Sequence, residues 1–362
     1  MCIVLQRIVL QSFFSLLLLF MASYHPLANS EPYSAPFWLL GGHLQTIYPA
    51  LFVSVPNVLY SRERWELPDG DFVDVDWIAT PKNAPQTVTA PIDLDKNTPI
   101  VVLFHGLEGN SQSQYAKALM AATQSKGWRG VVIHFRGCSG EPNRLPRVYY
   151  AGDTLEIETM LSRVRLGAPA AKIYAVGVSL GGNALLKWAG ESAEHANQVV
   201  TKAAAVSAPM DLAESANTLD KGFDRWTYTP RFVDSMRPKA LAMSKRFPGL
   251  LDDEKIKAAK TIHDIDNAVT AVLYGAKNAD DYYAKNASKP WLNKITLPTL
   301  ILNAKNDPFM PAEFLPSQAE VSSTVTLEYT EEGGHVGFVS SPFPGHVEWL
   351  PQHLLEFFEQ TP

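Results

Sequence analysis

Gly177-Val178-Ser179-Leu180-Gly181-Gly182-Asn183 is the stretch from which the fold of this chain can be argued. The apolar run 172–176 before it predicts a buried parallel strand, and residues 184–189 after it predict a helix that ends near Gly190. A G-x-S-x-G motif in a sharp turn between a strand and a helix lifts its serine hydroxyl clear of the sheet. Glycines stand on both sides of the serine because side chains there would collide across the turn.

Glycine-rich turns before helices also bind phosphates, which is the alternative interpretation of this stretch. A dinucleotide-binding fingerprint requires glycine where Ser179 stands. A P-loop requires a lysine followed by serine or threonine, and the stretch has no such pair. We therefore interpret Ser179 as a nucleophile held on a strained turn.

The composition excludes several classes of protein. The chain has 362 residues, 46% of them hydrophobic, which suits one large α/β domain with an insertion or two small domains. A net charge of −6 without a basic stripe predicts no nucleic-acid partner. Cys2 and Cys138 offer no disulfide framework, and the nine histidines show no ligand spacing, so we predict no metal and no cofactor.

Residues 1–30 are open to three interpretations. The apolar run 8–22 suits the core of a signal peptide, with Ala28-Asn29-Ser30 as the cleavage site. The same run could remain as an anchor that brings residues 1–22 to a membrane. Alternatively, translation starts at Met21 and the upstream run is never made. The chain is cytoplasmic in the last case and anchored or exported in the others, and the lack of a cysteine pair favours the cytoplasm.

Residues 31–362 form one predicted domain in which apolar runs alternate with helical patterns. Such strand and helix units, joined by short turns, predict an α/β fold with a mostly parallel central sheet and helices on both faces. Besides the strand before Ser179, strands are predicted at 100–104, 131–135, 201–206, 297–304 and 325–329. Helices are predicted to start near Ser111 or Ser113, to span 153–166, and to end the chain at 351–359.

A β-hairpin is predicted ahead of these units. Residues 60–67 and 72–78 flank the turn Pro68-Asp69-Gly70. Apolar and acidic residues alternate along the second strand. We therefore expect one face to be buried and the other, which carries Asp74 and Asp76, to meet water.

The alternation stops at about residues 213–294, which are helical in pattern and rich in aromatic side chains. We interpret this block as a helical lid inserted over the ends of the strands. Most of its aromatic residues would form the core of the lid, and a few would line a pocket for an acyl chain.

Three residues stand where a nucleophilic mechanism needs them. A serine hydroxyl needs a base to take its proton, and the base needs a carboxylate to orient it. In a sheet of this kind the chain order is nucleophile, acid, histidine, each after a strand. Ser179, Asp307 and His335 have that order and those positions.

Each assignment has competitors. Asp307 precedes a proline and could simply form a turn. His346 and His353 fall in or near the last helix, too late for the loop after the last strand, and Asp264 and Asp266 fall in the predicted lid. The three assignments support one another, so we keep Ser179, Asp307 and His335 as the predicted triad.

The same chemistry needs two donors for a tetrahedral oxyanion. One is the backbone N–H of Leu180, at the start of the helix after Ser179. The other is predicted from the loop after strand 100–104, as the backbone N–H of Leu107. Glu108 is a charge beside this position that either orders the loop or faces solvent.

Seven motifs taken together resemble one family. They are Gly42-His43-Leu44-Gln45-Thr46, His105-Gly106-Leu107-Glu108-Gly109, Arg136-Gly137-Cys138-Ser139-Gly140, Ala151-Gly152-Asp153, the stretch 177–183, Asn306-Asp307-Pro308 and Gly334-His335-Val336-Gly337. The chain resembles the YheT-like branch of the α/β-hydrolases from about residue 36 to its end. That branch also includes yeast medium-chain ethyl-ester synthase/esterases and membrane-anchored mammalian lipid hydrolases. The resemblance implies an α/β-hydrolase fold, the triad named above, and activity on carboxylic esters of medium-chain or lipid acyl groups.

Three functions remain open on sequence alone. A serine esterase would release its acyl group to water, whereas an acyltransferase or ester synthase would release it to an alcohol from the same acyl-enzyme. A relative that binds lipid without turnover is the third, although it would have no need of a strained serine. The predicted partner is a small-molecule ester or a lipid.

Overall fold

An eight-stranded sheet forms the centre of the structure. The computed structural model describes residues 32–79, 96–340 and 342–360. The chain divides into two units, residues 1–32 and 33–362, and every element named below belongs to the second. The strands are β1 (Tyr60–Glu66), β2 (Phe72–Ile78), β3 (Ile100–Phe104), β4 (Arg129–Ile133), β5 (Ile173–Val178), β6 (Lys202–Val206), β7 (Thr299–Ala304) and β8 (Val325–Thr330).

The sheet is mostly parallel. Its strands lie in the order β1-β2-β4-β3-β5-β6-β7-β8. The pairs β1–β2 and β2–β4 are antiparallel, and the remaining pairs are parallel. The predicted α/β fold is therefore confirmed, and the carboxyl ends of β3 to β8 meet at one edge of the sheet, where ligands of parallel sheets bind.

Helices cover both faces of the sheet. Those outside the long insertion are α1 (Gly41–Leu51), α2 (Gln114–Ser125), α3 (Thr154–Gly167), α4 (Leu180–Ser192), α5 (Ala196–Val199) and α13 (Trp349–Glu359). Neighbouring residues of β3 enter opposite cores, as the alternation of a strand requires. Val102 packs in the core formed with α3 and α4, and Leu103 packs in the core formed with α2 and α13.

A helical segment is inserted between β6 and β7. It contains α6 (Leu212–Leu219), α7 (Asp224–Thr227), α8 (Thr229–Arg246), α9 (Asp253–Ala258), α10 (Ile262–Ile265), a π-helical turn (Asp266–Thr270), α11 (Ala271–Tyr274), α12 (Ala279–Asn286) and a 3-10 turn (Lys289–Lys294). These helices share a hydrophobic core that includes Leu219, Ile265, Tyr282 and Tyr283. That the segment acts as a lid stays a prediction.

The hairpin differs from its predicted burial pattern. Asp74 and Asp76 are buried, at 2% and 3% exposed, although alternation predicted that they face water. The register of β1 and β2 places Arg64 opposite Asp74 and Arg62 opposite Asp76, and each arginine makes two hydrogen bonds to the carboxylate across from it. The carboxylates are buried because these cross-strand partners replace water.

The N-terminal predictions lie outside the described residues. They concern the signal-peptide core, the anchor through residues 1–22 and the start at Met21. Of the helices that the structure does describe, none combines the length and the apolar character needed to cross a bilayer.

Candidate active site

Ser179 lies on a strained turn between β5 and α4. Its backbone angles are φ 53° and ψ −123°, a combination that residues with a side chain rarely adopt. A Cβ on Gly177 would overlap the carbonyl oxygen of Gly181 and lie 2.6 Å from the Cα of Gly182. A Cβ on Gly181 would overlap the Phe104 carbonyl oxygen. Both flanking glycines of the motif are therefore required by the close approach of backbone segments.

Helix α4 is longer than predicted at both ends. It begins at Leu180, directly after the serine, and continues past Gly190 to Ser192. The expectation that Gly190 ends the helix was wrong. A Cβ at this position would lie 2.7 Å from Cβ of Trp291, so the glycine lets the 3-10 turn Lys289–Lys294 pack closely against α4.

The structure brings Ser179, His335 and Asp307 into one chain of hydrogen bonds. His335 Nε2 is 2.9 Å from Ser179 Oγ, and His335 Nδ1 is 2.8 Å from Asp307 Oδ2. With its proton on Nδ1, the imidazole donates to the carboxylate and accepts from the serine hydroxyl. The three residues follow β5, β7 and β8, although 156 positions separate Ser179 from His335.

The Asp307 carboxylate is fixed on both oxygens. Its side chain is fully buried, and the oxygen not used by His335 accepts a hydrogen bond from the Phe309 backbone N–H at 2.7 Å. The Phe309 ring also packs on the imidazole, with 4.1 Å between the ring centroids. The side chain that orients His335 is therefore itself held in one position.

The competing residues have other partners. His353 Nε2 lies 2.8 Å from Glu328, and His346 lies near Glu348. Asp264 belongs to the cap of α10, where its amide donates to Thr261. Asp266 accepts hydrogen bonds from the hydroxyls of Thr270 and Tyr283, at 2.6 and 2.7 Å. None of these contacts includes Ser179.

The loop after β3 passes directly against the serine. A Cβ on Gly106 would lie 3.0 Å from Cβ of Ser179. The Gly106 N–H donates to the Tyr115 hydroxyl at 2.9 Å, and the Glu108 N–H donates to the Tyr149 hydroxyl at 3.0 Å. Within the described part of the chain the Leu107 N–H between them has no acceptor. The geometry leaves this amide as a free donor at the wall of the cavity described below.

His105 holds the start of the same loop. It is fully buried, and burial lowers the pKa of its imidazole to about 3. The neutral ring accepts from the Phe135 N–H through Nε2 at 3.0 Å, and Nδ1 donates to the Gly106 carbonyl at 2.8 Å. The loop is therefore anchored by a histidine that stays uncharged at neutral pH.

Glu108 orders the loop rather than facing solvent. Its backbone has φ 57°, and its carboxylate accepts from the Tyr149 hydroxyl at 3.0 Å and from the Ser235 hydroxyl. Lys239 Nζ lies 2.7 Å from the same carboxylate. Ser235 and Lys239 belong to α8, so this side chain connects the loop to the inserted helices, a link that no local sequence pattern signalled.

A cavity of about 520 Å³ opens beside Ser179 and His335. Leu107 and Leu180 contribute to its wall together with residues of the inserted helices. Most of this wall is apolar, including Leu212, Leu219, Met236, Met243, Ile265 and Val269. The size and lining suit an apolar portion of a small ligand.

Helix α1 also contacts the site, through residues that the triad prediction did not include. Thr46 Oγ1 accepts the backbone N–H of His335 at 2.8 Å, and Gln45 contacts the loops of both Asp307 and His335. Ser207, after β6, accepts the Val336 N–H at 3.1 Å. Only the motif Gly42-His43-Leu44-Gln45-Thr46 could have drawn attention to α1.

The described residues contain no group of three or more histidine, cysteine, aspartate or glutamate side chains placed to hold a metal ion. That the chain uses neither a metal nor a cofactor stays a prediction.

Comparison with known proteins agrees with this architecture. Residues 99–342 match the α/β hydrolase fold family. The Escherichia coli K12 protein named "Putative esterase YheT" is 38% identical over 334 residues, which is 90% of this chain and 94% of that protein. Human phospholipase ABHD3 is 27% identical, over 91% of this chain and 79% of its own. An esterase structure from Pyrococcus furiosus shares the fold, with a TM-score of 0.52 at 14% identity, over 91% of this chain and 97% of that one.

The chain therefore belongs to the α/β-hydrolase fold family. Within that family the resemblance to the YheT-like branch is confirmed, since the similarity to YheT extends over nearly the whole of both proteins.

Proposed function

We propose that this chain is a carboxylic ester hydrolase that works through an acyl-enzyme on Ser179. The observation that carries the proposal is the position of His335, within hydrogen-bond distance of both Ser179 Oγ and Asp307 Oδ2, at the edge of an apolar cavity. A nucleophile, a base and a group that orients the base are the parts that this reaction requires.

The first half of the reaction forms the acyl-enzyme. Ser179 Oγ attacks the ester carbonyl carbon while His335 Nε2 takes the hydroxyl proton. Asp307 keeps the imidazole in the correct tautomer and stabilises its positive charge. His335 then gives the proton to the departing alkoxide, and the alcohol leaves. Water repeats the sequence, with His335 as its base, and releases the carboxylic acid.

The tetrahedral intermediates carry a negative oxygen that needs donors. We assign this role to the backbone N–H groups of Leu107 and Leu180, which would donate hydrogen bonds to that oxygen. Leu180 is the first residue of α4, where helix amides have no intrahelical acceptor and the helix dipole favours negative charge. Loss of a single such donor costs about 10²–10³-fold in kcat in enzymes of this kind.

The substrate class follows from the cavity and from the relatives. A largely apolar wall favours an ester with a short to medium acyl chain or a lipid acyl group over a charged one. The names of the relatives, esterase and phospholipase, agree with ester substrates that include lipids.

The test compares the wild type with Ser179→Ala and with Ser125→Ala, which removes an exposed serine hydroxyl on α2. Each protein is treated with a fluorophosphonate probe and assayed on p-nitrophenyl esters of graded acyl length. We expect Ser179→Ala to lose labelling and to lose at least ~10⁴-fold in kcat, and Ser125→Ala to keep both. Retained turnover in Ser179→Ala, or a folded wild type inert to both reagents, would overturn the proposal.

A further inference from the structure

The motif Gly42-His43-Leu44-Gln45-Thr46 belongs to α1, ahead of the whole sheet, and takes no part in the chemistry proposed above. Gln45 is nevertheless completely buried. A buried side-chain amide is tolerated when its donors and acceptors are paired, so its partners indicate what the motif holds.

Gln45 uses its whole hydrogen-bonding capacity. Nε2 donates to the Leu39 carbonyl at 2.8 Å and to Glu332 at 3.1 Å. Oε1 accepts from Asn306 Nδ2 at 2.8 Å and from the Gly333 N–H at 2.8 Å. Asn306 immediately precedes Asp307, and Gly333 stands two residues before His335. One side chain therefore connects the loop of the carboxylate to the loop of the imidazole.

Three further hydrogen bonds complete this connection. Thr46 Oγ1 donates to the Gly42 carbonyl at 2.7 Å, which fixes the hydroxyl, and accepts the N–H of His335 at 2.8 Å. Asn306 Oδ1 accepts the Gly334 N–H at 2.9 Å. The backbone of His335 is thus held by α1 directly, and the residue before it by the loop of Asp307.

Three glycines permit this close packing. A Cβ on Gly42 would overlap the Asn306 carbonyl oxygen, and a Cβ on Gly337 would overlap the Gln45 carbonyl oxygen. A Cβ on Gly334 would lie 2.7 Å from both Gly42 O and Thr46 Oγ1. The two loops and α1 approach each other backbone to backbone, which only glycine allows.

We infer that Gln45 and Thr46 are positioning residues, which hold the Asp307 loop and the His335 loop at the spacing that the proton relay needs. The inference rests on the proposed function. His335 must stay within hydrogen-bond distance of two residues on different loops, and a displacement of about 1 Å can cost about 10²-fold in rate. Helix α1 supplies a surface that holds both loops in fixed positions relative to each other.

The test is a pair of substitutions at Thr46. Thr46→Val keeps the shape and removes the acceptor for the His335 N–H, whereas Thr46→Ser keeps the acceptor. We expect Thr46→Val to lower kcat on p-nitrophenyl butyrate by about 10- to 100-fold with KM changed by less than about twofold. Thr46→Ser should restore kcat to within about threefold of the wild type.

A matched control is Tyr48→Phe on the same helix. It removes an exposed hydrogen bond to the Pro344 carbonyl and leaves the hydrogen bonds of Gln45, Thr46 and Asn306 in place, so kcat should stay within about twofold. If Thr46→Val does not fold, Asn306→Ala gives the same test, since Asn306 is only half-buried and its side chain joins Gln45 to Gly334. A lower kcat at unchanged KM is again expected.

Ser179→Ala is assayed in parallel to separate the two claims. If Ser179→Ala stays active, the proposed function fails whatever the variants of α1 do. If Ser179→Ala is inactive while folded Thr46→Val and Asn306→Ala turn over like the wild type, the inference on α1 alone is overturned. A loss in Thr46→Val that Thr46→Ser does not restore also overturns it, because the hydroxyl would then not be the group that matters.

Discussion

At the scale of single residues, the geometry of the site depends on the two glycines that flank Ser179, because they have no side chains. The serine can hold a positive φ only because Gly177 and Gly181 have no side chains where the backbone of α4 turns back on β3 and β5. Such strain persists where surrounding structure holds it, and here it presents the hydroxyl to His335. The order of residues in G-x-S-x-G therefore follows from sterics rather than from chemistry.

Gly181→Ala tests this steric argument. The added Cβ would overlap the Phe104 carbonyl oxygen and lie 2.5 Å from the carbonyl oxygen of His105. We expect the free energy of unfolding in urea to fall by about 3 kcal/mol and ester hydrolysis to be lost. Gly167→Ala is the matched control, because nothing lies within 4 Å of its new Cβ at the end of α3, and it should be neutral or slightly stabilising. Equal stability of the two variants would contradict the argument.

Residue patterns predicted which groups meet at the site but not what holds them. Ser179, Asp307 and His335 each follow a predicted strand, and parallel strands end at one edge of a sheet, so their meeting followed from topology. Gln45 lies 288 positions from Gly333 in the sequence. The residues around Gln45 give no local pattern from which a hydrogen bond to so distant a residue could be predicted. The partners of Glu108 on α8 were missed for the same reason.

At the scale of elements, α8 and the loop after β3 are coupled through Glu108. The loop holds Leu107, whose amide we assign to the oxyanion, and Glu108 fastens it to Ser235 and Lys239. A movement of α8 would therefore displace the loop that carries Leu107, the proposed oxyanion donor.

Glu108→Ala should lower kcat about tenfold with the fold intact, because the Leu107 amide would lose its fixed position while remaining present. The measurement is steady-state hydrolysis of p-nitrophenyl butyrate, with thermal unfolding as the check on folding. Asp234→Ala serves as control, since it removes an exposed ion pair on the same helix, to Arg237, without touching the loop. If Glu108→Ala and Asp234→Ala leave kcat equally unchanged, the coupling does not exist.

The elements themselves were largely predictable, since buried parallel strands are continuous apolar runs that stand out in any sequence. The wrong predictions arose where a residue contacts a partner that is distant from it in the sequence. Alternation in β2 predicted a wet face, but Arg62 and Arg64 on β1 allow Asp74 and Asp76 to be buried. Likewise, Gly190 was predicted to end its helix, whereas the structure shows that a glycine is needed there because Trp291 packs closely against the backbone. Strand β4 also begins two residues earlier than predicted, at Arg129.

At the scale of the whole molecule, the buried Asp76 carboxylate links the β1–β2 hairpin to the segments that follow β3 and β4. Burial alone would raise the pKa of Asp76, but hydrogen bonds from Arg62, His134 and Ser111 outweigh it and hold the pKa well below its usual range. The folded chain thus binds fewer protons here than the unfolded chain, so this contribution to stability is present above about pH 4, the ordinary pKa of aspartate, and is lost as the pH falls further.

Asp76→Asn should therefore lower the free energy of unfolding by about 3 kcal/mol at pH 7, with a difference from the wild type that shrinks below about pH 4. Denaturant unfolding from about pH 7 to pH 3 measures both. Asp280→Asn, at an exposed pair with His263, is the control and should change stability by less than about 1 kcal/mol at any pH. A difference for Asp76→Asn that is constant with pH would contradict the assignment.

The most direct test of the whole account is the covalent step at Ser179. The wild type is mixed with a phosphonate that carries a p-nitrophenolate leaving group, and the modified peptide is located by mass spectrometry. We predict one p-nitrophenolate released per chain and one phosphonyl group, mapped to Ser179. A group mapped to any other residue, or a chain that hydrolyses esters while Ser179 stays unmodified, would contradict the acyl-enzyme mechanism.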